Sequence, residues 1–399
     1  MATAAKPQLD LAEDTSPPTS FSESPEFDLM LACCANKPDH IRALLGCPVD
    51  WDRLLHLVDH HRVLPQVYGA LSAFSRSIPA PALDVLRSRY KENARKALCF
   101  AGELLRIAAH LESAGIKALP YKGPVLAQTL YGDVTQRQFS DLDILVHPKN
   151  VPKAKAALFT LGYKSEIELS PHLEKAFIEN GYEHSFRSPQ RSTLLELQWR
   201  IMPRFYSVDF DVADLFRRAD TITFGGTALP TLRPEDLLLA LCAHAAKHVW
   251  LQLSWLCDIA QLAKLPCLDW NAIQVEAKRL GIERIVTLTL LLSHRLMGTP
   301  LPEYFLPNCR SERGEESAVA DEILRVIQCS THYDTESPPY FRLMMRLRER
   351  RRDQARFLWR LVLTPNVSEW SAIPLPKALQ PLYRVVRLFR LTKRLASEC

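Results

Sequence analysis

Asp141-Leu142-Asp143 runs directly into Ile144-Leu145-Val146, and these six residues restrict the chain more than any other stretch. Side chains alternate along a strand, so Asp141 and Asp143 share one face while Leu142 points to the other. The unbroken apolar run marks a strand buried on both faces. Two carboxylates side by side at the mouth of such a strand repel each other and resist desolvation unless a cation lies between them. A divalent ion gripped by one or two carboxylates together with substrate phosphates meets that need.

Upstream, Ile116–Tyr121 reads as an apolar strand that ends at Lys122-Gly123, where a helix opens. Glycine there lets the backbone turn tightly and approach a ligand, and a helix N-terminus attracts phosphate. Downstream, Gly181–Phe186 and Thr193–Ile201 flank the polar turn Arg187–Ser192 and form a hairpin signal. Glu196 is a lone acid inside the second of these apolar runs, where an unpaired carboxylate is costly.

The order of a glycine turn followed by Asp-x-Asp, and the string KGPVLAQTLYGD…R…SDLDILV, resemble a bacterial family of nucleotidyltransferases within the polymerase-beta-type superfamily. The resemblance runs over residues 50 to 300. It implies an α/β (α+β) fold: a small mixed sheet of nucleotidyltransferase type, flanked by N-terminal helices and a C-terminal helical domain. It also implies a Mg²⁺-dependent transfer of a nucleoside monophosphate from an NTP to an unidentified acceptor, with release of pyrophosphate. Asp141, Asp143 and Glu196 then hold two Mg²⁺ ions, with Glu196 as the third acid and the orienter of the nucleophile.

The same resemblance places Lys122, Gly123 and Arg137 against the triphosphate. The bland alternatives are a structural turn for Lys122-Gly123 and an ion pair with Asp133 or Asp141 for Arg137. Ser140 is either a ligand-facing hydroxyl or a plain cap. His244 and His248, one helical turn apart in HAAKHVW, resemble part of the family's helical domain and line the nucleotide or acceptor cleft; the alternative is a helix contact held by Asp258. His184 either touches substrate or orients Glu196, or is a sheet histidine. Two departures from the superfamily pattern stand out. Lys-Gly-Pro replaces the usual Gly-Ser or Gly-Gly, and the third acid is Glu where Asp is more common. They motivate a rival reading, a catalytically inactive nucleotide- or partner-binding protein with the same fold.

The 399 residues divide, on these patterns, into a disordered tail (1–26), an N-terminal helical region (27–115), a nucleotidyltransferase core (116–232), a helical domain (233–335) and basic C-terminal helices (336–399). Ala82–Ala114 reads as one long helix, Trp51–Phe74 as two helices broken at Pro65, and Tyr340–Leu363 as one helix. Ten scattered cysteines without a CxxC pair suit a reduced cytoplasm. No apolar stretch is long enough to span a membrane and no signal peptide is evident. Residues 341–399 carry 14 Lys and Arg against 4 Asp and Glu, a local +10, so the first 340 sum to −5. Arg350-Arg351-Arg352 and the face formed by Arg384, Arg387, Arg390 and Arg394 leave open a solvated surface, a polyanion partner or a membrane surface.

Overall fold

The computed structural model describes residues 24–167, 170–189, 193–302, 315–329, 337–365, 379 and 382–397. The polar tail up to residue 23, the tip of the 187–192 turn and the side chain of Arg394 lie outside them. The fold is mixed α/β with a small sheet and many helices.

Five strands make the main sheet in the order β1 (Ala118–Pro120), β2 (Asp141–Val146), β5 (Leu194–Gln198), β4 (Glu183–Arg187) and β3 (Lys164–Ser165). Only the β2–β5 pair is parallel. Its register sets Asp143 opposite Glu196, and the next rung sets Glu196 opposite Ser185. A period of two then puts Asp141, Asp143, Glu196, Gln198 and Glu183 on one face. Leu142, Ile144, Leu195 and Leu197 fill the other and are all buried. A second hairpin, β6 (Asp220–Phe224) with β7 (Thr227–Thr231), abuts the sheet through the Thr231 hydroxyl, which donates to the Pro120 carbonyl at 2.8 Å.

Two cores support this face. One packs the sheet against α5 (Ala80–Ser113) and α7 (Val151–Thr160) through Leu104, Ile107, Leu111, Ala154 and Leu158. The other unites the helices on both sides of the core in sequence: α1 (Pro25–Cys34), α2 (Pro38–Leu45), α3 (Trp51–His61) and α4 (Leu64–Ser72) pack with α10 (Pro234–Lys247), α11 (Leu253–Leu262), α12 (Trp270–Leu280) and α13 (Glu283–Met297). The helices before and after the sheet thus bury a shared apolar interior.

Two expected helix boundaries move. The break between α3 and α4 falls at Arg62, which adopts a left-handed conformation (φ 53°), while Pro65 sits comfortably in the first turn of α4. The Tyr340–Leu363 helix is two helices, Pro338–Arg346 and Arg351–Leu363. The break follows Arg348, which is buried with its guanidinium 4.6 Å from the Tyr206 ring and 4.8 Å from Phe357. It donates to the Met344 and Tyr206 carbonyls, so a cation is drawn inside and the helix ends there. Arg387 likewise leaves the expected charged face: it is buried and donates to the Leu361 carbonyl. No described helix is long and apolar enough to cross a membrane, and every described cysteine is free.

The turn after β1 runs close to the sheet. Gly123, at φ +54°, opens α6 (Gly123–Tyr131), and a Cβ there would lie 3.1 Å from the Asp141 carbonyl oxygen. Glycine is therefore required both by conformation and by the closeness of β2. Gly123→Ala is expected to destabilise the fold by about 1–3 kcal/mol, read by urea denaturation. A loss below about 0.5 kcal/mol would mean the turn relaxes freely.

Candidate active site

The polar sheet face forms the floor of an open cleft of about 370 Å³, walled by the turn into α6, by α10 and by the start of α11. That volume lies within the range of small-molecule sites. Its floor carries Asp141, Asp143, Glu183, Glu196 and Gln198; its walls carry Arg62, Lys122, Gly123, Arg137, Lys247, His244, His248 and Trp255. Of the residues singled out from the sequence, Ser140 does not line the cleft, although its neighbour Asp141 does.

Gln198 is the hub of the floor. The Tyr121 hydroxyl donates to Gln198 Oε1 at 2.6 Å, which turns the amide Nε2 toward the acids. Nε2 approaches Asp143 Oδ1 at 2.8 Å, Glu196 Oε2 at 3.2 Å and Glu183 Oε2 at 3.3 Å. Two hydrogens serve three acceptors. Lys122 Nζ completes the cluster at 3.2 Å from Asp143 Oδ1, and also donates to His244 Nδ1 at 3.4 Å. An ammonium has no lone pair, so His244 accepts here through an unprotonated ring nitrogen.

The electrostatics follow from this crowding. Burial, then Glu183, Asp143 and Asp141, push the Glu196 carboxyl up to about 9. Burial and Asp143 also raise Asp141, against the pull of Lys122, Arg137 and Arg62. Burial opposes the charge on Lys122, but Asp143, Tyr121, Glu196 and Asp141 outweigh it and raise its pKa. Around the histidines the balance reverses: burial, with Lys247 and Lys122, lowers His248 to about 3, and burial, Lys122 and Lys247 drive His244 well below its usual value. Both rings are thus neutral at physiological pH. Their centroids lie 4.9 Å apart with the rings tilted, and both lie against Trp255 at 5.3 and 5.4 Å, so they form an aromatic wall.

Three alternatives left open by the sequence take definite form. Asp258 does not hold His244 or His248. It accepts from Arg137 Nε at 2.9 Å and from the Tyr131 hydroxyl at 3.0 Å. Arg137 accordingly pairs with neither Asp133 nor Asp141. His184 faces away from Glu196: it stands opposite Leu197, stacks on Phe186 and bonds Ser165 Oγ at 2.6 Å. Its neighbour Glu183 takes the cleft face instead, as alternation requires.

Among the described residues, no group of three or more His, Cys, Asp or Glu is gathered closely enough to hold a metal ion. The donor chemistry nonetheless suits a hard cation: four carboxylates share one face, and burial beside the other three pushes Glu196 up to about 9. Lys122 and the Gln198 amide occupy Asp143 in its place.

The sequence profile of a family described as "Uncharacterised nucleotidyltransferase" matches residues 48–298, more than half of the chain. The chain belongs to this nucleotidyltransferase family. Among solved structures, the solution structure of the antibiotic-resistance factor ANT(2'')-Ia resembles it with 14% identity over 50% of this chain and 93% of the other, at a TM-score of 0.28. No curated protein matches in sequence.

In this nucleotidyltransferase, residues that pattern reading passed over do much of the positioning. Gln198 lies two residues after Glu196, the same-face spacing that identifies it once Glu196 is placed. Lys247 is the one cation within the otherwise apolar second half of α10, and falls on the face of His244. Arg62 and Tyr121 carried no local signal.

A carboxyl whose folded pKa is raised contributes stability that is present below its unfolded value, near 4.5, and is lost as pH climbs toward 9. Without divalent ions, the wild type is expected to melt lower at pH 8 than at pH 5. Glu196→Gln, which mimics the protonated acid, should flatten that difference and raise the melting temperature at pH 8 by about 1–3 °C, as about 1–2 kcal/mol would. An unchanged pH dependence in melting curves would exclude a buried, cation-starved Glu196.

Proposed function

We propose that this nucleotidyltransferase moves a nucleoside monophosphate from an NTP to an acceptor and releases pyrophosphate. The observation that carries the reading is the convergence of Asp141, Asp143 and Glu196 on one sheet face beside the Gly123 turn. Asp141, Asp143 and Glu196 are the residues that would hold Mg²⁺. When bound, the metal supplies charge neutralisation and lowers the pKa of the attacking hydroxyl.

The chain's own groups do the rest. Lys122 sets a positive charge at the entrance to α6, whose N-terminus at Gly123 lines the cleft and favours phosphate. Glu196, once its charge deficit is met, accepts the proton of the acceptor hydroxyl. Arg137, paired with Asp258, which the Tyr131 hydroxyl also holds, keeps the Arg137–Asp141 loop in place. Neutral His244, His248 and Trp255 offer flat apolar surface to a base or an acceptor ring. Catalysis is then mainly positioning and charge compensation.

A second reading, a binding protein without turnover, is favoured by one feature: Lys122 and Gln198 already satisfy Asp143. The assay separates the two. With Mg²⁺, each of ATP, CTP, GTP and UTP, and pools of small-molecule, peptide and RNA acceptors, the wild type is expected to release pyrophosphate and label an acceptor. Asp141→Asn and Asp143→Asn should each reduce the rate by about a thousandfold or more. Binding of nucleotide without release in any pool, or equal rates in the Asn variants, would establish the second reading.

A further inference from the structure

Large exposed apolar side chains gather toward the C-terminal end of the chain. Among the described residues, Leu358, Trp359, Leu382, Val385, Leu388 and Phe389 are 40–69% exposed, with Trp359 and Phe389 the most open. They belong to two helices, Arg351–Leu363 and Tyr383–Ser397, with Leu382 directly before the second. Elsewhere such residues are scattered: Val85, Leu98, Phe159 and Val275 are spread over α5, α7 and α12. Isolated apolar residues on a surface are ordinary, whereas a concentration of them marks a face that meets something. None of the six lines the cleft.

A helix on a globular body ordinarily buries its apolar stripe and turns its charges to water. Tyr383–Ser397 does the reverse. Its buried residues are Tyr383 and Arg387, one turn apart, and Arg387 Nε donates to the Leu361 carbonyl at 2.5 Å. Val385 and Phe389 each follow one of these by two positions, about 200° around the helix, so they point away from the body with Leu388 beside them. Arg384 and Arg390 are exposed on the flanks. Arg351–Leu363 is built alike. Asp353, Phe357 and Leu361 are buried at four-residue spacing, and Ala355 and Trp359 follow two of them by two positions and are exposed, as are Arg351 and Arg352. The two helices pack against each other, so their outward faces adjoin.

The chemistry of this surface selects its partner. The two helices carry nine Lys and Arg against one acid. Arg352 and Arg356 lean on Asp353 and Asp209 at 3.8 and 3.9 Å, while among the described residues neither Arg351 nor Arg384 forms an ion pair. A second copy of the chain would bring like charge against like. RNA would suit the arginines and the rings, but Leu358, Val385 and Leu388 offer no flat face on which a base could stack. An anionic lipid surface suits all of them, with arginines at the headgroups and aromatic and aliphatic side chains at the acyl boundary.

We propose that the outward faces of Arg351–Leu363 and Tyr383–Ser397 dock the protein on an anionic lipid surface. Trp359, Val385, Leu388 and Phe389 enter the boundary between headgroups and acyl chains, and Arg351, Arg352, Arg384 and Arg390 meet the headgroups. The helices lie along the surface; no described helix is long and apolar enough to cross it. The docking does not depend on the nucleotidyl-transfer reading.

The test is flotation of the full chain with vesicles of phosphatidylcholine alone and of phosphatidylcholine mixed with phosphatidylserine. The wild type should float with the mixed vesicles, bind the plain ones about tenfold more weakly or less, and leave the mixed ones as salt is raised. Trp359→Ala and Phe389→Ala should each weaken binding about tenfold, while Trp359→Phe stays near wild type. Arg351→Gln and Arg384→Gln should each weaken binding about fivefold on the mixed vesicles and leave the plain ones unchanged. These side chains are exposed, so melting curves should match the wild type. No flotation with the mixed vesicles, or alanine variants that float as the wild type does, would overturn the docking. A sedimentation dimer that Trp359→Ala dissolves, without lipid binding, would assign the face to a second copy instead. Single-stranded RNA bound through Arg351 and Arg384, again without flotation, would assign it to nucleic acid.

Discussion

Four carboxylates on one face of a small sheet repel one another, and the fold around them is arranged to contain that repulsion. The parallel β2–β5 register sets Asp143 against Glu196, and antiparallel β4 adds Glu183. None of these can move apart without breaking the ladder, because each is fixed by alternation along a strand whose opposite face is fully buried. The compensation comes from elsewhere in the chain: a lysine from the turn before α6, an amide oriented by a buried tyrosine, and a proton retained on Glu196. Each answers the same excess of negative charge.

The surrounding helices take their places from that arrangement. α10 brings Lys247 and two neutral histidines over the acids, and α11 brings Asp258, which fixes Arg137. These helices share one core with α1 to α4, so the turn that carries Arg62 is braced by the same interior that holds Lys247. The cleft is thus walled by segments far apart in sequence but joined in one packed body. The Gly123 turn brings this body close to β2, where a Cβ would crowd the Asp141 carbonyl oxygen at 3.1 Å.

Much of this was legible from residues alone. The Asp-x-Asp strand, the hairpin that carries Glu196, the long α5 and the helices from Pro234 onward follow from periodicity, which reports burial directly. The register that pairs Asp143 with Glu196 follows from alternation once the strands are neighbours. What could not be read were the contacts that depend on three-dimensional approach. Arg137 pairs with Asp258 from another helix, and nothing local points to that partner. Arg348 breaks a helix that its neighbours favour, because two aromatic rings and two carbonyls draw it inside. His184 and Glu183 were separable by face, but only the sheet order showed which face meets the cleft. Gln198 was hidden because an amide beside an acid looks ordinary until both are buried together.

If the acids of the sheet face lack positive charge until a divalent cation binds, the Glu196 carboxyl must report it. Carbon-13 NMR of the Glu196 carboxyl, titrated with and without Mg²⁺, measures this directly. A midpoint near 9 is expected in metal-free protein, falling toward the ordinary glutamate value when Mg²⁺ is added. A midpoint in the ordinary range without metal, unmoved by Mg²⁺, would contradict it.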